Sequence, residues 1–213
     1  MIATKGSRNR RDDGRVEREA SPAGQARPAG QARPEPPVTA AWLERVALHY
    51  LDRYGASSEM LRRVLARRVD RRCRSRDEAP DAHAGLIAET VARAQRAGLI
   101  DDVRFAAARL ATLRRRGAST RQARAKLSEK GIDADTISAV MTDEREDAGE
   151  EADTERQAAA AYARRRRLGP HRPPGAREAN RERDLAAMAR AGFPYGLARA
   201  VIGAELDDPP EDP

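Results

Sequence analysis

The chain repeats itself. "GASSEMLRRVLARRV" begins at Gly55 and "GASTRQARAKLSEKGI" at Gly117, 62 positions later. Self-similarity at such a period marks an array in which each unit is one supersecondary element stacked on its neighbours. The segments are rich in Ala, Leu and Arg, residues that favour helix over strand. Only 39% of the 213 residues are hydrophobic and 3% aromatic, thin material for one large core. Small, locally packed helical units fit that composition better than a sheet.

Apolar spacing and capping residues place the helices. Thr39 caps one carrying Trp42, Leu43, Val46, Ala47, Tyr50 and Tyr54, and Gly55 stops it. Ser57 or Ser58 caps a second, with Leu61, Val64, Leu65 and Val69 on one stripe and Arg62, Arg63, Arg67 and Arg68 largely opposite. A polar insert, "RRCRSRDEAPDA" (Arg71–Ala82), intervenes before a third helix from about His83 to Ala97, with Leu86, Ile87, Val91 and Ala94 inward. The next junction is "RAGLIDDVRFA". Gly98 suits a helix C-terminus, because the left-handed conformation costs it no Cβ clash. Asp101 is an N-cap, and Ile100 and Phe105 then stand in the hydrophobic-staple positions.

The cycle repeats. A helix with Phe105, Ala108, Leu110 and Leu113 ends at "RRRG" (Arg114–Gly117). Ser119 caps the next, and Gln122 completes a capping box. That helix buries Ala123 and Leu127 and stops at Gly131; Asp133 caps a third with Ile137, Val140 and Met141, leading into an acidic stretch over 143–155. A third, degenerate pass has a first helix from about Asp153 to Arg167, a loop "GPHRPPG", and "DLAAMARAGF" (Asp184–Phe193), 61 positions after "ARAKLSEKGI". A last short helix follows Pro194.

The expected fold is therefore all-α, a tandem array of three-helix repeats. Repeat 1 spans 39–100 with an insert at 71–82, repeat 2 spans 101–148, and a degenerate repeat 3 spans 149–205. A basic Pro/Gly-rich tail, 1–38, and an acidic one, 206–213, are expected to be disordered, having almost nothing to bury. Each unit is too small to bury its own stripe fully, so neighbours are expected to stack.

Charge bears on partners. Lys plus Arg is 41 against 34 acids, a net +7, and nearly all of it is Arg. Guanidinium groups recognise phosphate and carboxylate in a planar, bidentate way, which suits nucleic acid or an acidic protein surface; a GC-rich genome writing Arg for Lys accounts for the composition equally well. Cys73 is the one cysteine, which gives no internal disulfide framework and points to the cytosol. No apolar run reaches the roughly 20 residues of a membrane span, and the N-terminus lacks the apolar region of a secretory signal.

Nothing in the sequence calls for catalysis, a cofactor or a metal. His49, His83 and His171 are scattered, with no i, i+4 ligand pattern. Cys73 lies in an Arg-rich insert and reads as a solvated thiol. Asp101 and Asp102 are explained by a helix start, and Ser119 lacks a general base and has a cap to make. No phosphate-binding glycine loop follows a strand.

The candidate binding surface is basic. Arg114, Arg115 and Arg116 end one helix; Arg121 and Arg124 share a face of the next, with Lys126 flanking. Arg164, Arg165, Arg166 and Arg167 end the corresponding helix of the third unit, and Arg62, Arg63 and Arg67 lie on the second helix of the first. Stacked repeats bring equivalent positions to one side, so these clusters are expected to merge into a basic track. Arg116 or Arg167 taken singly is accounted for by the helix dipole. Trp42 and Tyr54 read as core, since too few aromatics accompany them for a base-stacking groove.

"GLIDDVRFA" (Gly98–Ala106), the Arg-rich "LRRRG", the capped "STRQARAKLSEKGID" and a short third helix together resemble the RecX family, regulators of the RecA recombinase. The resemblance covers roughly Ala40–Glu205 and is sharpest from Leu99 to Val140; the tail and the 71–82 insert lie outside its pattern, and Ala123 stands where Leu is usual. It implies an elongated, curved helical protein in the groove of the RecA–single-stranded-DNA filament. There it would hinder ATP hydrolysis, strand exchange and repressor cleavage, in DNA repair and the SOS response. Such a protein is no enzyme, and a cytoplasmic monomer is expected. A different class also fits the residues: a stand-alone helical protein binding nucleic acid without sequence preference.

Overall fold

The computed structural model describes residues 36–149 and 153–205. Among them lie nine α-helices and no strand: α1 (Ala40–Leu51), α2 (Ser58–Arg74), α3 (Ala84–Arg96), α4 (Asp102–Arg115), α5 (Thr120–Glu129), α6 (Ala134–Ala148), α7 (Thr154–Arg166), α8 (Pro174–Arg190) and α9 (Tyr195–Ile202). Short 3-10 turns, Pro80–His83 and Gly169–His171, precede α3 and α8. The fold class is all-α, as expected. Most of the expected N-terminal tail, all of the C-terminal one and residues 150–152 lie outside the described residues.

Local chemistry sets most helix starts. Thr39, Ser57, Asp101, Ser119, Asp133 and Asp153 each accept a hydrogen bond from the backbone N–H three residues on. Each thereby satisfies one of the donors that a helix N-terminus leaves unpaired.

Several boundaries differ from expectation. α1 ends at Leu51, four residues before Gly55, and leaves Tyr54 57% exposed rather than in the core. α2 continues to Arg74 and takes in the start of the insert. α8 begins at Pro174, inside the Pro/Gly-rich loop, because proline's fixed φ and missing N–H cost nothing in a first turn. Val38, assigned to the tail, is buried.

The apolar side chains form three separate clusters. One joins α1–α3 through Leu43, Leu61, Leu65, Val69, Ile87 and Val91. The next joins α4–α6 through Leu110, Leu113, Leu127, Ile137 and Val140, and the last joins α7–α9 through Ala159, Ala163, Met188, Phe193 and Val201. Each triplet thus has its own core. Ile100 belongs to the first cluster and Phe105 packs against another, so the expected staple pair divides between two cores. Leu86 and Ala108 face outward rather than in.

The third triplet carries a buried charge. Asp184 is fully buried at a position equivalent to Ala123 in α5. Its carboxylate accepts from the Gly169 N–H at 2.8 Å and from Arg172 at 2.7 and 2.6 Å. Burial works to raise its pKa, but the hydrogen bonds from Arg172 and Gly169 outweigh it and hold the carboxyl below its ordinary range. The loop that precedes α8 therefore exists in part to deliver Arg172 to a core position that the other triplets fill with Leu or Ala.

Candidate partner-binding surface

The triplets are joined at helix ends, and the joint is the same twice. The Ser57 hydroxyl, besides capping α2, donates to the Lys130 carbonyl at the end of α5 at 2.5 Å. The Ser119 hydroxyl, besides capping α5, donates to the Ala191 carbonyl at the end of α8 at 2.6 Å. A carboxylate of the following triplet completes each start. Asp102 accepts from the Ser58 N–H at 2.8 Å, and Glu155 accepts from the Thr120 N–H at 2.9 Å. Negative C-terminal dipole ends and acids thus meet positive N-termini.

Glycine makes the close approach possible. A Cβ on Gly131 (φ +78°) would lie 2.2 Å from Glu59 Cβ, and one on Gly192 (φ +87°) would lie 2.9 Å from Ser119 Oγ. The second helices α8, α5 and α2 accordingly meet end against end, which brings the arginines of α2 beside the end of α5. Arg63 shows it directly, donating to the Glu129 carbonyl at 3.0 Å while pairing with Glu59 at 2.9 Å.

Most of the expected basic residues are exposed. Arg62 pairs with Glu59, and Arg67, Arg121 and Lys126 make no ion pair among the described residues. Arg124 reaches Ser138 at 3.4 Å; Arg115 donates to Thr112 and stays exposed, as does Arg116. Arg164, Arg165, Arg166 and Arg167 are exposed at the end of α7, where Arg167 takes a left-handed φ of 54°.

Arg114 is the exception. Its side chain is 12% exposed and clamped between Glu144 of α6 at 3.0 Å and Glu155 of α7 at 2.7 Å, with further bonds to the Ala118 carbonyl and Thr120. Burial alone would lower its pKa, but the two carboxylates hold the guanidinium charged. Arg114 locks the joint between the second and third triplets and is removed from the binding set. Sequence spacing could not separate it from Arg115, because its partners lie 30 and 41 residues away.

The structure also joins Arg166, one of the expected residues, to arginines that the sequence pattern did not single out. A cleft of about 440 Å³ between α5, α7 and α8 is lined by Arg166, Arg172, Arg183 and Arg190, with Asp184 its one carboxylate. Arg172 pairs with that carboxylate, which leaves Arg166, Arg183 and Arg190 with no other acidic side chain among the lining residues. Arg183 and Arg190 stand two turns apart on α8, and that i, i+7 spacing was the available signal.

Residues considered for chemistry are occupied otherwise. Asp101 caps α4 and Asp102 holds Ser58, while the Ser119 hydroxyl both donates and accepts. His49 is exposed; His171 is half-buried, and burial together with Arg164 and Arg177 pushes its imidazole pKa down. Cys73 is fully buried in the last turn of α2, which corrects its reading as a solvated thiol. No helix among the described residues is long and apolar enough to cross a membrane.

Comparison with known proteins agrees with this architecture. Residues 101–141 match the family model described as RecX, second three-helix domain, which corresponds closely to α4–α6. Regulatory protein RecX of Myxococcus xanthus (strain DK1622) is 42% identical over 166 residues, covering 78% of this chain and 86% of the relative. Regulatory protein RecX of Corynebacterium efficiens is 35% identical over 162 residues, covering 73% and 75%. No solved structure matches. With a relative at that identity matched over most of its length, and with triplets of helices joined by a repeated cap, the chain belongs to the RecX family.

Proposed function

We propose that this chain binds RecA and its filament on single-stranded DNA and restrains the filament's ATPase, recombinase and coprotease activities. It would act in the cytoplasm, in DNA repair and the SOS response. Family membership carries the reading, since its relatives are named as regulatory proteins. The exposed arginines of α2 and α5, on two helices joined through Ser57 and Lys130, would supply the contact surface. A filament is a repeating polyanion overlaid on protein carboxylates, and guanidinium groups address both.

The arginine-lined cleft of the third triplet favours a second reading, a protein that holds nucleic acid by backbone charge alone. Titration against the cognate RecA separates the two. A RecA regulator lowers DNA-dependent ATP hydrolysis at substoichiometric amounts. A stand-alone binder needs no RecA and loses affinity steeply with salt, as counterion release requires. Absence of inhibition and of filament binding at stoichiometric protein refutes the first reading.

A further inference from the structure

The insert between α2 and α3 folds into an arrangement that the RecX reading does not use. Cys73 lies in the last turn of α2 with its side chain fully buried. The chain then doubles back, with Arg76 N–H and Glu78 N–H both donating to the Cys73 carbonyl at 3.0 and 3.1 Å. Asp77 takes the left-handed φ of 54° that this reversal requires. That conformation is uncommon for any residue but glycine, though aspartate is among those that tolerate it best. The turn Pro80–His83 then carries His83 onto the same spot, its side chain 16% exposed.

We propose that Cys73, Glu78 and His83 form a binding site for one divalent transition-metal ion of the zinc class. Their ligand atoms all lie within 4.8 Å of one another, and His83 Nε2 is 3.6 Å from Glu78 Oε2. Bonds of about 2.0–2.3 Å to a tetrahedral centre set ligand atoms roughly 3.3–3.8 Å apart. The His–Glu pair already has that spacing, and the sulfur has to close by about 1.5 Å at most.

The donor set is selective. One thiolate, one imidazole and one carboxylate suit zinc or cobalt(II), whereas calcium and magnesium take oxygen ligands. Glu78 is oriented from behind, since its Oε1 accepts from Arg76 Nε at 2.6 Å and leaves Oε2 toward the histidine. Ligating carboxylates are commonly held this way. On binding, the thiol proton leaves to solvent, a sulfur–metal bond forms, and water fills the fourth position. The ion would clip the loop to the end of α2. This proposal is independent of RecA.

Cobalt(II) titration of the chelator-treated full chain tests it. A thiolate-to-cobalt charge-transfer band is expected, saturating at one ion per chain and displaced by one equivalent of zinc. The chain has a single cysteine, so the band reports Cys73 alone. Cys73→Ser is expected to abolish the band. His83→Ala is expected to weaken zinc affinity by about tenfold or more in a chelator competition with circular dichroism unchanged. A titration without the band, or zinc affinity unchanged in His83→Ala, overturns the proposal and leaves the trio a packing arrangement. A band whose midpoint shifts with protein dilution overturns it equally, because the ion then bridges chains.

Discussion

Ser119 and Ala191 are 72 residues apart, and the hydroxyl of the first donates to the carbonyl of the second at 2.6 Å while accepting from the Gln122 N–H at 3.2 Å. One side chain thus starts a helix in one triplet and ends a helix in the next. The "GAS" echo has its physical origin here, because Ser57 stands between Met60 and Lys130 in the same way. A serine in this role stabilises the helix and the array together.

Ser119→Ala is accordingly expected to cost more than a cap. Losing the cap costs about 1 kcal/mol. Leaving a buried carbonyl unpaired adds roughly another 1–2 kcal/mol. Urea unfolding is expected to show about 2–3 kcal/mol of destabilisation in all. Thr39→Ala removes a cap with no second partner among the described residues and is expected to cost only about 1 kcal/mol. Equal losses at the two positions would contradict the dual role.

Glycine substitutions separate conformation from contact. Gly98→Ala meets nothing within 4 Å and is strained only by its φ of +67°, so about 1–2 kcal/mol is expected. Gly131→Ala has a similar φ of +78° but drives its Cβ to 2.2 Å from Glu59 Cβ and Cγ, so the joint between α5 and α2 must open. Thermal unfolding is expected to rank Gly131→Ala well below Gly98→Ala.

Much of this fold was legible because its determinants are local. A cap reads three residues ahead, a C-terminal glycine reads its own φ, and an apolar stripe reads its own helix. Thr39, Ser119, Asp133 and Gly131 all act as their sequence context indicates. What the sequence could not disclose is the second partner of each such group. Asp102 looks like any first-turn acid until the fold places Ser58 against it, 44 residues away. Arg114 looks like its neighbours until Glu144 and Glu155 enclose it. Cys73 reads as part of a polar insert because α2 has no stop signal before Arg74, and its last apolar position passes for loop.

Arg114→Ala is expected to destabilise by about 2–3 kcal/mol, since Glu144 and Glu155 are left partly buried and facing each other without a cation. The low end applies because both carboxylates, at 18% and 22% exposure, can partly rehydrate. Arg115→Ala, one residue along, is expected to fall within about 0.5 kcal/mol of the parent.

Asp184 makes stability depend on pH. Its folded pKa lies below the ordinary 3.8, so the carboxylate's contribution is present above that value and is lost as pH falls through the folded pKa. Asp184→Asn is expected to be less stable than the parent at neutral pH, with the gap narrowing below about pH 4. A constant gap across that range would show that Arg172 does not hold the charge.

The most direct measurement is a titration of cognate RecA on single-stranded DNA with the parent chain and with a variant carrying Arg115→Glu, Arg121→Glu and Arg124→Glu, reading filament binding and ATP hydrolysis. Arg114 is left intact, so the joint survives. The parent is expected to suppress hydrolysis at substoichiometric amounts. The variant is expected to lose both binding and suppression while its helical circular dichroism stays unchanged. A folded variant that suppresses RecA as strongly as the parent would contradict the assignment of this surface.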